Sequence, residues 1–354
     1  MAIPIPSSDT MPRTKTKIVA TIGPSCSSKE VLRQLIDAGM SVARLNFSHG
    51  THADHEEVIN SMRALDSELK SYSAILADLS GPKIRVGELE TEEITLTEGN
   101  KLILTADKMI GTSQKVSISY PSLAEDVKVG ETILLDDGKL RLDVSEIKGD
   151  EVVTIVTQGG QLKPRKGVNL PDTELSLPSL TDKDRRDLNF ALKHNVSWVA
   201  LSFVRSADDI IELKELISKS KSGARVIAKI EKPEALDNID EIIAISDGIM
   251  VARGDLGVEI PLQNVPMVQK EIVRKCQKAG KPVIIATQMM ESMIDNLSPS
   301  RAEVNDVANA VLDGSDAVML SGETSVGRYP VEVVQTMGKI LTRVEEYDGI
   351  YYPS

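Results

Sequence analysis

Eight short apolar runs, each too short for a helix and each bounded by turn or charged residues, constrain this chain more than any other feature. They read KIVATIG, MSVARLNFSH, SAILADLS, SWVALSFV, RVIAKIE, GIMVARGDL, PVIIATQMM and SDAVMLSGE. Runs of this length and composition are what fully buried parallel strands require. Most are separated by amphipathic segments of helical period, such as SKEVLRQLIDAG, HADHEEVINSMRALDSELK, DKDRRDLNFALKHN and RAEVNDVANAVLDG. Pro233 opens another, with Leu236, Ile239, Ile242, Ile243 and Ile245 on one helical face. Eight β/α units without a sheet-edge signal predict a closed (β/α)8 TIM barrel, with its chemistry on the loops that follow the strands.

The alternation is broken once, from about Val86 to Leu177. There the pattern becomes EITLTEG, KLILTAD, KVSISYP, ETILLDDG, KLRLDVSEI and EVVTIVTQGG, with Asp137-Gly138 as a hairpin signal. The expectation is an inserted all-β lid domain after the third strand. It divides the chain into a first barrel part at 1–86, a β-barrel-like lid at 87–177 that closes over substrate, and a second barrel part at 178–354.

Composition narrows the function classes. Aromatic residues are 3% of the chain and the net charge is −12, so stacking platforms and a basic face for nucleic acid are both excluded. An anionic ligand then needs a local cluster of Arg and Lys within a cleft. The N-terminal stretch MAIPIPSSDTMPRTKTK lacks a signal-peptide core, and no segment reads as a membrane span, so a cytoplasmic protein is expected. Cys26 and Cys276 form neither a disulfide framework nor a zinc pattern, and are read as structural.

The polar residues at strand ends are the candidates for chemistry. Strand two offers Arg44, Asn46, Ser48 and His49, and strand three offers Asp78, Ser80, Lys83 and Arg85. Strand five offers Lys229 and Glu231, strand six Arg253 and Asp255, and strand seven Thr287 and Gln288. Two carboxylates, Glu231 and Asp255, with no His or Cys beside them suit Mg2+ or Mn2+ rather than zinc. The competing reading pairs them with Lys229 or Arg253 as ion pairs, and Lys229 itself reads as a salt-bridge or Schiff-base lysine as well as a phosphoryl-binding one. Arg44, Arg85 and Lys166, the last in the basic loop LKPRKGVNLP, are the cationic counterpart. His49 has no acid partner in the sequence and is not assigned as a general base. Gly254-Asp255-Leu256-Gly257 can present backbone N–H groups to an anion at a helix start.

These residues resemble one family closely, pyruvate kinase. VIAKIEKPEALDNIDEII is similar to the segment around its essential lysine. TKIVATIGPSC, ARLNFSHG, GPKIRVG, KGVNLP, VARGDLGVEIP, ATQMMESM, PSRAEVNDVANAVLDGSDAVMLSGET and GRYPVE are similar to its other blocks, in the same order. The resemblance implies phosphoryl transfer from phosphoenolpyruvate to ADP, giving pyruvate and ATP. It gives Mg2+ to Glu231 and Asp255, and the transferring phosphoryl group to Lys229. Gly254 and Asp255 offer backbone N–H groups to the substrate carboxylate, Thr287 contacts substrate, and Arg44 takes the substrate phosphate. Asn46, His49, Arg85 and Lys166 line the nucleotide site, with a second Mg2+ arriving on ADP.

Two departures from the family pattern carry expectations of their own. The monovalent-cation region matches Asn46, Ser48 and Asp78, but Leu79 stands where a threonine is usual and Lys83 where GPEIR has glutamate. An ammonium at Lys83 can replace K+, so K+-independent activity is expected. The family also continues into a C-terminal regulatory domain, which a chain ending at Ser354 is expected to lack, with a homo-oligomer formed through the barrel. Two other readings remain open at this point: a catalytically silent metabolite-binding or interaction protein, and a Mg2+-dependent pyruvate aldolase or lyase.

Overall fold

The eight apolar runs become the staves of a barrel. The computed structural model describes residues 14–351. The reading of the N-terminal stretch as free of a signal peptide therefore falls, through Arg13, outside the described residues, as do residues 352–354 of the second barrel part. Among the described residues the barrel strands are Lys17–Thr21, Met40–Asn46, Ala74–Asp78, Trp198–Leu201, Arg225–Ile230, Gly248–Ala252, Val283–Ala286 and Ala317–Leu320. Each pairs in parallel with its neighbours in sequence order, and the first closes on the eighth through Lys17 to Ala20 against Ala317 to Leu320.

Every strand contributes to a dry interior. Val19, Val42, Leu76, Ala200, Ile227, Met250, Ile284 and Met319, one from each strand, belong to one apolar cluster. Because side chains alternate faces along a strand, the residue two positions further on points the same way. Where that residue is polar, it stands over the apolar layer, toward the C-terminal rim.

Helices follow the strands as the periodicity predicts, and local chemistry fixes their starts. Thr51 with Asp54, and Thr181 with Asp184, form reciprocal capping boxes at the heads of His52–Leu69 and Asp182–Lys193. The segment opened by Pro233 differs from the single helix expected. It is two helices, Pro233–Asp237 and Ile239–Ile245, broken at Asn238, whose side-chain amide donates to Arg205 O at 2.9 Å and Glu234 O at 3.1 Å. An amide committed to such backbone carbonyls competes with continued helix.

Two compact units divide the chain. The barrel unit runs to Ser80 and takes in Leu180–Gly254 and everything from Pro266 onward; the second is Gly81–Ser179 together with Asp255–Val265. The second unit contains a six-stranded sheet, a separate two-stranded one and the four-residue helix Leu123–Asp126 that no periodicity announced, together with most of helix Arg253–Glu259 and the short turn Leu262–Asn264. It has its own core, with Leu102, Leu104, Val116, Ile133, Leu142 and Val152 fully buried. The expected hairpin is present: Leu135 pairs with Leu140, and Asp136, Asp137 and Gly138 all turn through positive φ. Its limits are wider than 87–177, and 255–265 joins it from a distant part of the sequence. Within that unit the Asn169 amide donates to the Glu259 carboxylate at 2.7 Å.

Candidate active site

Counting two residues on from the apolar layer gives Thr21 after Val19, Arg44 after Val42, Asp78 after Leu76, Ser202 after Ala200 and Lys229 after Ile227. All five are buried, and hydrogen bonds and an ion pair link them into one chain around the rim. Thr21 Oγ1 donates to Leu320 O at 2.8 Å and accepts from Arg44 Nη1 at 2.9 Å. Arg44 grips Asp78 Oδ2 through Nε and Nη2, both at 2.7 Å. Lys229 Nζ lies 3.2 Å from Asp78 Oδ1, donates to Ser202 Oγ at 2.7 Å and meets Glu231 Oε1 at 2.9 Å. Ser202 passes its own proton to Leu79 O at 2.7 Å, and the Phe203 N–H caps Glu231 Oε2 at 2.8 Å.

The charges in this chain balance, with Arg44 and Lys229 against Asp78 and Glu231. That balance is a condition of burial, since an unpaired ion here would cost several kcal/mol. Burial alone would raise the Asp78 carboxyl, but Lys229 and Arg44 outweigh it and hold it below the ordinary carboxylate range. Asp78 Oδ1 receives no hydrogen bond of good geometry, so Lys229 holds that oxygen by charge rather than by a directed bond.

A second cluster surrounds Thr287, at the end of strand seven. Its φ is +70°, a conformation that β-branched residues rarely adopt, and Gln288 follows at +53°. Thr287 Oγ1 accepts the Gly254 N–H at 2.7 Å and donates to Ala286 O at 2.6 Å. The Gly254 N–H expected to face a carboxylate is thus already engaged by Thr287. Arg253 holds the Thr287 carbonyl at 2.8 Å while its two terminal nitrogens meet Asp306 Oδ1 and Oδ2, each at 2.8 Å. A fork on a carboxylate is the geometry in which guanidinium is most rigid.

In the second unit, Asp255 forms an ion pair with Lys83 at 3.8 Å, beyond hydrogen-bond length. The Arg85 and Gly167 backbones bridge antiparallel, which brings Arg85 and Lys166 onto neighbouring segments. Arg85 Nη1 donates to Arg165 O at 3.1 Å, and Lys166 Nζ meets Asp136 Oδ1 at 2.8 Å.

Of the residues singled out from the sequence, the barrel unit thus joins Arg44, Asp78, Lys229 and Glu231 in one network and Thr287 with Gly254 in another. The ion-pair alternative for Glu231 is what the structure shows, and Asp255 has a different partner from the Arg253 or Lys229 considered for it. Arg44, Asn46 and His49 also line a cavity of about 700 Å³ with Pro24, Val58 and Ser321. That volume is within the range of small-ligand sites. Ser48 donates its N–H to Asn46 Oδ1 at 3.1 Å, and Leu79 is fully buried. A cavity of about 820 Å³ opens at the other strand ends, around Lys17, Met40 and Ala74, away from these residues.

Thr21, Ser202 and Asp306 stand outside the set picked from the sequence. The first two could have been found by counting in twos along their strands; Asp306 lies within helix Arg301–Leu312, where no strand-end rule reaches. The thiols take no part: burial pushes Cys26 up to about 11 and Cys276 up to about 12.

Comparisons with known proteins place the chain in a family. Residues 13–334 match the family description "Pyruvate kinase, barrel domain". The chain belongs to the pyruvate kinase family. It is 50% identical over 335 residues to a pyruvate kinase of Geobacillus stearothermophilus, covering 94% of this chain and 57% of that one. It is 49% identical over 333 residues to one of Clostridium perfringens, with 94% and 70% covered. A crystal structure of a pyruvate kinase from Cryptosporidium parvum superposes with a TM-score of 0.91 at 46% identity, covering 94% of this chain and 70% of that chain. The chain therefore spans 57% of the length of its Geobacillus pyruvate kinase relative.

Proposed function

We propose that this chain transfers the phosphoryl group of phosphoenolpyruvate to ADP, giving enolpyruvate and then pyruvate and ATP. The observation that carries the reading is the buried chain Arg44–Asp78–Lys229–Glu231 at the C-terminal rim of a pyruvate kinase-family barrel. In this reading the bond from phosphorus to the enol oxygen breaks, an oxygen of the ADP β-phosphate takes the phosphoryl group, and the enolate gains a proton at its methylene carbon.

Arg44 binds the substrate phosphate, prealigned by its fork on Asp78. Lys229 holds the transferring group, exchanging one of its present acceptors for a phosphoryl oxygen as charge spreads over the equatorial oxygens. The strained Thr287 hydroxyl orients the water that protonates the enolate, and Gly254, whose N–H gives up its bond to Thr287, and Asp255 receive the substrate carboxylate. Asn46, His49, Arg85 and Lys166 take the nucleotide, and the inserted unit serves as the lid.

Mg2+ fits the donor set assigned to it. Glu231 and Asp255 offer only oxygens, and Asp255 has no hydrogen-bond-length ion pair among the described residues. In this reading the ion completes its shell with substrate oxygens and water. When bound, Mg2+ or Mn2+ supplies positive charge to the substrate phosphate and carboxylate. Lys83, ion-paired with Asp255, is the ammonium that this reading puts in place of K+. Among the described residues no helix is long and apolar enough to cross a membrane. A cytoplasmic location and association with itself through the barrel belong to the same reading.

The test is pyruvate formation from phosphoenolpyruvate and Mg2+ in a sodium-free buffer, with and without ADP and with and without K+, for wild type and Lys229→Met. ADP-dependent turnover that the substitution lowers at least about a thousandfold is expected. Substrate binding without turnover would instead leave a silent binder, and turnover indifferent to ADP a lyase. A strong rate increase on adding K+ would overturn the role given to Lys83.

A further inference from the structure

The loop Phe47–Gly50, which follows Arg44 and Asn46, is held by two side chains that neither the sequence motifs nor the proposed reaction assigns. Its backbone groups can be followed almost one by one. Phe47 N–H donates to Asp78 O at 3.0 Å, Ser48 N–H to Asn46 Oδ1 at 3.1 Å and His49 N–H to Asn46 O at 3.1 Å. The first ties the loop to strand three, and the other two fold it on itself.

Two carbonyls are then taken up from helices. Lys183 Nζ donates to Phe47 O at 2.6 Å, and His55 Nε2 to His49 O at 3.1 Å. A carbonyl can only accept, so His55 carries its proton on Nε2. Burial lowers the His55 imidazole below its ordinary range, outweighing the raising effect of the His49 carbonyl, and the ring stays neutral near pH 7.

Lys183 is itself held. Asp187, one helical turn on and 6% exposed in its side chain, pairs with Lys183 at 2.6 Å and accepts from His52 Nε2 at 2.7 Å. Lys183 also reaches Ser80 Oγ at 3.4 Å. Phe47, almost wholly buried, packs against His55 at 4.4 Å and Phe190 at 6.0 Å between ring centres, so the loop is wedged as well as bonded. Both supporting helices begin at capping boxes one to six residues before the groups concerned.

We propose that Lys183, braced by Asp187, is a positioning residue for ADP: it fixes the loop that follows Asn46 and carries Ser48 and His49, without touching substrate. The proposal rests on the pyruvate kinase reading for its ligand, and on the loop's hydrogen bonds alone for its mechanics. The Lys183 side chain is half exposed and its bond to Phe47 O half-buried, and losing this charged donor frees that carbonyl and the loop with it.

Two measurements on Lys183→Met, Lys183→Arg and wild type test it. The first is amide hydrogen exchange of residues 47–50, which needs no activity. Exchange at least about tenfold faster in Lys183→Met, with little change in the barrel strands and with protection restored in Lys183→Arg, is expected. Unchanged loop exchange, or loss of protection throughout the barrel, overturns the brace. The second is steady-state kinetics: KM for ADP should rise about tenfold or more in Lys183→Met, KM for phosphoenolpyruvate should stay within about twofold, and Lys183→Arg should recover most of the loss. Equal effects on both substrates, or none on ADP, overturn the nucleotide role. A wild type without ADP-dependent turnover would sink the assigned reaction, while the exchange experiment still decides whether Lys183 holds the loop.

Discussion

Asp78 is the residue on which the rim depends most heavily, because it is the shared anion between two buried cations. Replacing it with Asn keeps the shape but leaves Arg44 and Lys229 with only Glu231 to balance them. Removing one partner of a buried ionic set typically costs about 3–5 kcal/mol, so Asp78→Asn is expected to lower stability by that order in urea unfolding at pH 7. Turnover should fall at least about tenfold through loss of the Arg44 and Lys229 alignment. The sign of the pH dependence follows from the folded carboxyl being held below its ordinary range. The unfolded chain then takes up the proton first, at about pH 3.9. The Asp78 contribution is therefore complete above that value and is lost as pH falls through the folded value. Unfolding free energy measured as pH drops below about 4 should decline less steeply in Asp78→Asn than in wild type; parallel curves would show that Asp78 carries no linkage.

At the scale of elements, the regular parts of the fold were legible because period alone determines them. All eight barrel strands coincide with the apolar runs, and six of the insert's strands coincide with its alternating segments, while the short Gly160–Leu162 and Val168–Asn169 lie at or beyond their end. What was hidden depends on closure. Lys229 reaches Asp78 and Ser202 only because strands three, four and five stand side by side in the barrel wall, and no linear spacing states that distance. The Asn238 break escaped notice because the apolar face continues across it, while one side-chain amide decides the backbone. Asp306 is the clearest case: it reads as a solvated position on an outer helix, yet that helix uses it to hold Arg253, and through Arg253 the Thr287 carbonyl. Asp306→Ala leaves Arg253, largely buried, without its fork. A fall in kcat of about tenfold, with a loss of about 2–4 kcal/mol in thermal or urea unfolding, is expected. Wild-type kcat in this variant would show that strand seven holds Thr287 unaided.

For the molecule as a whole, the division into two units separates the cations that the proposed reaction needs. Arg44 and Lys229 belong to the barrel, whereas Arg85 and Lys166 belong to the inserted unit, and each unit has a core built from its own residues. A net charge of −12 makes both sets necessary, since only local cations can draw anionic substrates to an acidic protein. Loosening one core should then affect one substrate more than the other. Leu102 is fully buried in the insert, on the strand that pairs with Glu151–Gln158, and truncating it leaves a cavity that strand cannot refill. Leu102→Ala is expected to destabilise the inserted unit by about 3 kcal/mol. Hydrogen exchange should rise at amides of 101–105 and 152–156 while those of 226–230 keep their protection. In the same variant KM for ADP should climb as temperature approaches the unit's transition, ahead of any change in KM for phosphoenolpyruvate. If the amides of 226–230 lose protection at the same temperature as those of the insert, the two cores melt as one, and a separate effect on the nucleotide cations Arg85 and Lys166 loses its physical basis.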